Sequence, residues 1–369
     1  MFRQIKGQDK AISLLVNAIK HNRIAQAYIF HGPEGVGKFT TALYFGMALN
    51  CLAISEKRPC GVCNSCHKFL EFSHPDLTYI FPTPNIKLTG DNELKAQSIN
   101  EQQAYIDNRK QAPWEKFYFS GSTEIRRESI TLLQKKFEYS QIENKYRVCI
   151  IEEADEMNPN TANSFLKTLE EPPVNTVLIL LTTKYQSMLP TIISRCQAVF
   201  FKPLSYKTIE NLLVDSFNVD KPTAKTYSRI ANGNLEQALR LANDTKHEAK
   251  SLMLSFIEAA LKEDDIYVIN MVSSSKEKIK SVLVHDLLYH IALFYNDLAL
   301  LKAGYKEVNS LDLMELLETC SSRVRNWDSS LLKGLTYFDD LHRKLDGNVN
   351  VQYVLINLYH HLKDTFNLR

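Results

Sequence analysis

Apolar positions fall into two rhythms along the first half of the chain. Between residues 9 and 22, Ile12, Leu15 and Ile19 recur at helical spacing, which predicts an amphipathic helix. Ala27 to Phe30 is instead a short unbroken apolar run, read as a buried strand, and helical spacing returns after Lys38 through about Asn50. Arg147 to Ile151 and Val177 to Thr182 predict two more buried strands; between them, Asn160 to Leu169 predicts a helix stopped by Glu171-Pro172-Pro173. A helix is expected from Ile125 to Phe137, and Ser194 to Phe200 closes the alternating part. A short apolar run bounded by prolines lies within Pro75 to Pro84. Residues 85 to 118 follow neither rhythm, and the reading there is a surface excursion or an irregular helix.

From Tyr206 onward the spacing is helical almost throughout, with polar turns at Val219 to Pro222 and Ala231 to Asn234 and a longer helical region from near Glu248. Alternating strands and helices followed by helices alone predict an α/β domain at 1–203, a small helical lid at 204–244 and an all-helical domain at 245–369.

The first strand runs directly into His31-Gly32-Pro33-Glu34-Gly35-Val36-Gly37-Lys38. Between a strand and a helix, this G-x-x-x-x-G-K spacing is that of a phosphate-binding P-loop, which makes the fold RecA-like. Gly32, Gly35 and Gly37 let backbone N–H groups curl round a phosphate, and Lys38 would reach the outer phosphates. The hydroxyl residue that ligates magnesium should come next, but Phe39 stands there, with Thr40 and Thr41 late by one and two positions. A shift of one residue turns a helical side chain by about 100°, so Thr40 does not automatically replace the missing ligand. The strand-end pair is Glu152-Glu153 rather than Asp-Glu, and the extra methylene on the metal side is poor for placement.

Cys51, Cys60, Cys63 and Cys66 form C-x8-C-x2-C-x2-C. Four soft thiolates suit tetrahedral Zn2+ in a structural role, with free or redox-active thiols and an iron–sulfur cluster as alternatives. Seven cysteines in all, three of them scattered, do not make a disulfide framework. With 44 basic against 42 acidic residues in a chain of 369, charge gives no global case for nucleic-acid binding. Arg126, Arg127, Lys135 and Lys136 could meet DNA phosphates, although such groups are more often a solvated helix face. No signal-like or membrane-length apolar run is present, so the expectation is a cytoplasmic protein without membrane contact.

Taken together, these motifs resemble the AAA+ clamp-loader subunits of bacterial DNA polymerase III. The resemblance is carried by Ile5-Lys6-Gly7-Gln8, Ala27 to Pro33, Pro59 to Cys66, Leu166 to Pro173 and Ser194-Arg195-Cys196. His74-Pro75-Asp76-Leu77 and Ala154 to Asn158 place it nearer the delta-prime branch than the gamma/tau ATPases. Detailed resemblance covers about residues 1 to 240, and the remainder corresponds only to a collar domain.

The resemblance implies a pentameric ring with delta and gamma/tau subunits that places a sliding clamp on primed DNA. Within it, Arg195 would be an arginine finger acting in trans on a neighbouring ATP site, and Thr182 or Thr183 the polar sensor. Glu236 stands where active members carry arginine, so Phe39, Glu152 and Glu236 together argue against productive ATP and Mg2+ binding at the chain's own site. An active gamma/tau-type ATPase and a stand-alone AAA+ repair or chaperone switch remain the alternatives.

Overall fold

The computed structural model describes residues 2, 5–54, 57–84, 96–115, 119, 123–139, 141–143, 145–243, 248–274, 281–305, 308, 310, 313–324, 327–346 and 349–367. Its contacts divide the chain into two units, Met1–Leu239 and Arg240–Arg369.

In chain order the first unit contains α1 (Asp9–Lys20), β1 (Ala27–His31), α2 (Lys38–Asn50), α3 (Asn64–Leu70), β2 (Leu77–Ile80), α4 (Ala96–Gln111), α5 (Arg127–Glu138) and β3 (Arg147–Ile151). It continues with α6 (Pro159–Glu170), β4 (Thr176–Thr182), α7 (Pro190–Ile193), β5 (Gln197–Phe200), α8 (Tyr206–Phe217), α9 (Lys221–Ile230) and the start of α10 (Leu235–Ala242). The five strands form one sheet in the order β2-β3-β4-β1-β5, and every pairing is parallel. This is a parallel α/β core with a P-loop between β1 and α2, as the two rhythms and the glycine loop led one to expect.

Parallel strands covered on both faces read as continuous apolar runs because neither face meets water. β3 and β4 are accordingly buried at every position. Alternate residues serve opposite faces: Tyr28, Phe30, Ile150 and Ile179 pack with Phe45 of α2, whereas Ile29, Ile151, Leu178 and Leu180 pack with Phe165 of α6. The helix starts are set by local chemistry. Asn158 caps α6 by accepting from the Thr161 N–H, with Pro159 in the first turn, and Ser205 and Asp220 cap α8 and α9 in the same way. A separate small core of Ile209, Leu213, Ala224, Ala231 and Leu239 holds α8, α9 and the start of α10 together.

Two expectations need correction. Ile125 is not helical: it bridges Met157, and its N–H donates to the Glu156 carbonyl at 3.0 Å, so α5 begins only at Arg127. The polar stretch 85–118 contains a regular 16-residue helix, α4, of which Tyr105 and Arg109 are buried. Residues four apart share a helix face, but a buried arginine counts as polar in a periodicity reading, which hid the face. Residues 85–95 and 116–118 lie outside the described residues.

The second unit comprises the end of α10 and α11 (Glu248–Lys262), α12 (Asp265–Ser274), α13 (Ser281–Lys302), α14 (Met314–Arg323), α15 (Trp327–Asp346) and α16 (Val351–Asn367). Phe256, Leu287, Ile291, Phe338 and Leu358 belong to one shared core. Among the described residues, no helix is long and apolar enough to cross a membrane.

Candidate functional site

The turn from β1 into α2 brings Gly32, Gly35 and Gly37 into a loop in which all three have positive φ. Only Gly37 faces open space. A Cβ on Gly32 would lie 2.1 Å from the Phe201 carbonyl oxygen, and one on Gly35 would lie 1.7 Å from Asn234 Oδ1. Two of the three glycines therefore serve close packing of the loop against β5's exit and the start of α10. The Leu235 N–H also donates to the Gly35 carbonyl at 3.0 Å. Gln8, buried, ties the loop to the sheet by donating to the carbonyls of Val36 and Lys202 at 3.2 and 2.8 Å.

Lys38 Nζ folds back onto the loop and donates to the Gly32 and Pro33 carbonyls at 2.8 and 2.5 Å. Burial pulls its pKa down to about 8 against the opposing pull of Glu34, Glu152, Asp155 and Glu153. Thr41 spends its hydroxyl on its own helix, donating to the Gly37 carbonyl at 2.7 Å, while Thr40 lines the cavity with Lys38, Glu153 and Thr183. Glu153 holds a left-handed backbone, φ +48°, which is strained for a side chain of this kind.

Phe39 is buried between Tyr79, at a ring distance of 5.1 Å, and Phe72, at 6.1 Å. Glu152 does not face a vacant metal position. Its carboxylate pairs with Arg109 of α4 and accepts hydrogen bonds from the Tyr79 and Tyr105 hydroxyls. Burial, and the Glu152 charge after it, push both tyrosines up. The sequence reading missed Arg109 altogether; its spacing of four from Tyr105 was the available signal. Thr182, at the end of β4, donates to Asp155 Oδ1 at 2.5 Å and accepts from the Lys184 N–H at 2.9 Å.

Arg195 lies outside this cleft, after α7. It is partly exposed, donates to Glu170 Oε1 at 2.6 Å and to the Thr191 carbonyl at 2.9 Å. The basic residues at the start of α5 and along it are less free than their sequence suggests. Arg126 pairs with Glu124 at 2.6 Å, and Lys136 turns inward to donate to the Leu77 carbonyl at 2.9 Å.

Cys51, Cys60, Cys63 and Cys66 converge where α2 ends and α3 begins, with all four Sγ atoms within 4.8 Å of one another. Cys51 and Cys63 are 4.0 Å apart and Cys60 and Cys66 3.9 Å, much too far for disulfides. A tetrahedron with Zn–S bonds of about 2.3 Å has edges of about 3.8 Å, so the four thiolates fit a structural Zn2+ ion. Burial pushes the Cys51 thiol up, and the backbone N–H groups of Ala53 and Cys60, each 3.4 Å from its Sγ, oppose that shift.

A family model described as DNA polymerase III, delta subunit, matches residues 7–205. The chain belongs to that family. Within the DNA polymerase III delta-subunit family it is delta-prime-like: it is 27% identical over 358 residues to DNA polymerase III subunit delta' of Bacillus subtilis, covering 95% of this chain and 94% of that protein. It is 28% identical over 247 residues to DNA polymerase III subunit tau of Escherichia coli, but spans only 32% of that longer protein. A crystal structure of a gamma-subunit-related protein from Thermotoga maritima aligns over 97% of the chain at 16% identity, with a TM-score of 0.46.

Proposed function

We propose that this delta-prime-like chain is the stationary member of the DNA polymerase III clamp loader. On this reading it helps place the sliding clamp on primed DNA and supplies Arg195 in trans to the ATP site of a neighbouring gamma/tau subunit. Residues 1–203 are the AAA+ core, 204–244 the lid and 245–369 a collar through which it joins delta and gamma/tau in a pentamer.

The observation that carries the reading is the contrast between its two candidate sites. On the magnesium side of its own cleft Phe39 stands where a hydroxyl is needed and Glu152 is paired with an arginine, which supports reading Gly32 to Lys38 as a retained scaffold and not a working ATP site. Arg195 stands apart from that cleft, partly exposed and held by one surface carboxylate. A planar, permanently charged guanidinium suits a developing negative charge on a transferring phosphoryl group.

The test is reconstitution of the ring with R195A. Assembly should be retained and ATP turnover should fall, with the site beside Arg195 losing on the order of the 10³- to 10⁵-fold that an arginine finger supplies. Unchanged turnover sinks the assignment. The isolated chain should show no magnesium-dependent turnover; hydrolysis abolished by K38A would instead make it an active gamma/tau-type ATPase.

A further inference from the structure

Two departures from a working ATP site, Phe39 and Glu152, share one neighbour, and the third, Glu236, lines the same cavity. The Arg109 guanidinium carbon sits 4.7 Å from the centre of the Phe39 ring and pairs with the Glu152 carboxylate. Its Nη1 donates to the carbonyls of Pro113 and Glu115 at 3.2 and 2.7 Å. Burial opposes its charge, but Glu152 and the flanking tyrosines outweigh that, with Glu236 adding to the same negative field, and raise its pKa well above the ordinary value. Five residues further on, Trp114 meets Phe217 of α8 edge-on at 4.8 Å. It also lines the same cavity as Lys38, Leu235 and Glu236.

We propose that the segment from Tyr105 to Trp114 is a built-in wall of the phosphate-loop cleft, with Arg109 as the positioning cation beside Glu152 and Trp114 as the strut to α8. The lid's position against the sheet is then set by the chain itself and does not depend on a bound nucleotide. This deepens the reading of the cleft as non-hydrolysing and does not involve Arg195.

In a working P-loop site the strand-end carboxylate faces magnesium, and the nucleotide touches both the core and the lid. Here each of those contacts has a protein substitute. Glu152 is a carboxylate that burial would penalise if left alone, and the fork of an arginine neutralises it while also covering the Phe39 ring. A magnesium nucleotide would have to displace Arg109 and leave that guanidinium buried without its carboxylate. Lid contact is secured separately by the Leu235 N–H on Gly35 and by Trp114 on Phe217. Phe39 and Glu152 are therefore a matched pair and not two independent losses.

The experiment follows amide hydrogen exchange of 206–242 in the full chain, with and without magnesium ATP. In the wild type, ATP should leave exchange in α8 and α10 unchanged; slowing by ATP overturns the proposal. W114A removes a half-exposed strut and leaves the sheet intact, so exchange in α8 should rise by at least about tenfold while β1, β3 and β4 keep their protection. Exchange at the wild-type rate in W114A overturns the strut. Because R109A alone leaves Glu152 buried and unpaired, R109A/E152Q serves as the folded control; it too should speed lid exchange, and no change refutes the role of Arg109. Failure of these variants leaves the R195A experiment untouched, so the two readings stand or fall separately.

Discussion

Glu170 holds Arg195: the carboxylate Oε1 and guanidinium Nη2 are 2.6 Å apart, with both side chains partly exposed. Glu170 ends α6, inside the stretch Leu166 to Pro173, and Arg195 follows α7. An exposed pair of this kind contributes about 0 to 1 kcal/mol. The pair therefore holds the arginine only weakly.

If release from Glu170 precedes action on a neighbouring site, E170Q removes a competitor. Turnover of the reconstituted ring should rise by up to about fivefold, the equivalent of roughly 1 kcal/mol. Steady-state ATPase assays of rings containing E170Q check this, and a drop to the R195A level would show that Glu170 orients the arginine productively.

Within the phosphate loop, Gly35 and Gly37 separate two roles of glycine. Both have positive φ, but only at Gly35 would a Cβ strike another element, Asn234 Oδ1. G37A should cost about 1–2 kcal/mol from backbone strain alone, and G35A clearly more, because the start of α10 must move. Urea unfolding of the two variants gives the comparison; equal losses would mean that α10 yields freely.

The cysteine tetrad predicts one zinc per chain. C60S should abolish stoichiometric zinc and lower the stability of the first unit, since metal binding free energy is folding free energy where the site forms only on folding. Elemental analysis with thermal unfolding measures both. Because α2 packs on the sheet through Phe45 and is followed at once by Cys51, chelation should lower the melting temperature of the first unit. A chelated protein with unchanged melting would remove the structural role.

In the second unit, His342 Nδ1 lies 2.9 Å from His285 Nδ1, beside the Tyr289 ring. Burial first, and the His285 charge second, lower the His342 pKa from 6.5 to about 3. Between those values the unfolded chain binds the extra proton and the folded one does not, so this contribution to stability is full above 6.5 and falls as pH drops toward 3. The slope approaches about 1.4 kcal/mol per pH unit. Urea unfolding from about pH 7 to 4, the range over which a histidine of ordinary pKa changes charge, should show this acid loss in the wild type and a flatter profile in H342Q. Matching profiles would rule the histidine out as its source.

Much of the first unit was legible because its signals are local. Strands buried on both faces must be apolar throughout, so Ala27 to Phe30 and Val177 to Thr182 announced themselves within a residue or two of β1 and β4. The C-x8-C-x2-C-x2-C spacing brings four thiolates together over 16 residues, which needs no knowledge of the rest of the fold. Phe39 was visible as a departure because the loop fixes what the next residue should be. Ile125 and α4 were misread because a single bridge to Met157 and a face made of one tyrosine and one arginine leave no apolar period.

The sequence alone determined the sheet, the phosphate loop and the cysteine tetrad, since each is dictated by spacing along the chain and by what must be kept from water. Only the tertiary structure decided which polar groups are matched. Arg109 and Glu152 are 43 residues apart, Arg195 and Glu170 are 25 apart, and Gln8 meets Lys202 across 194. Coulombic and hydrogen-bond partners are chosen by distance in space, which periodicity does not encode, and for that reason an ordinary-looking arginine in a polar stretch is the partner of Glu152.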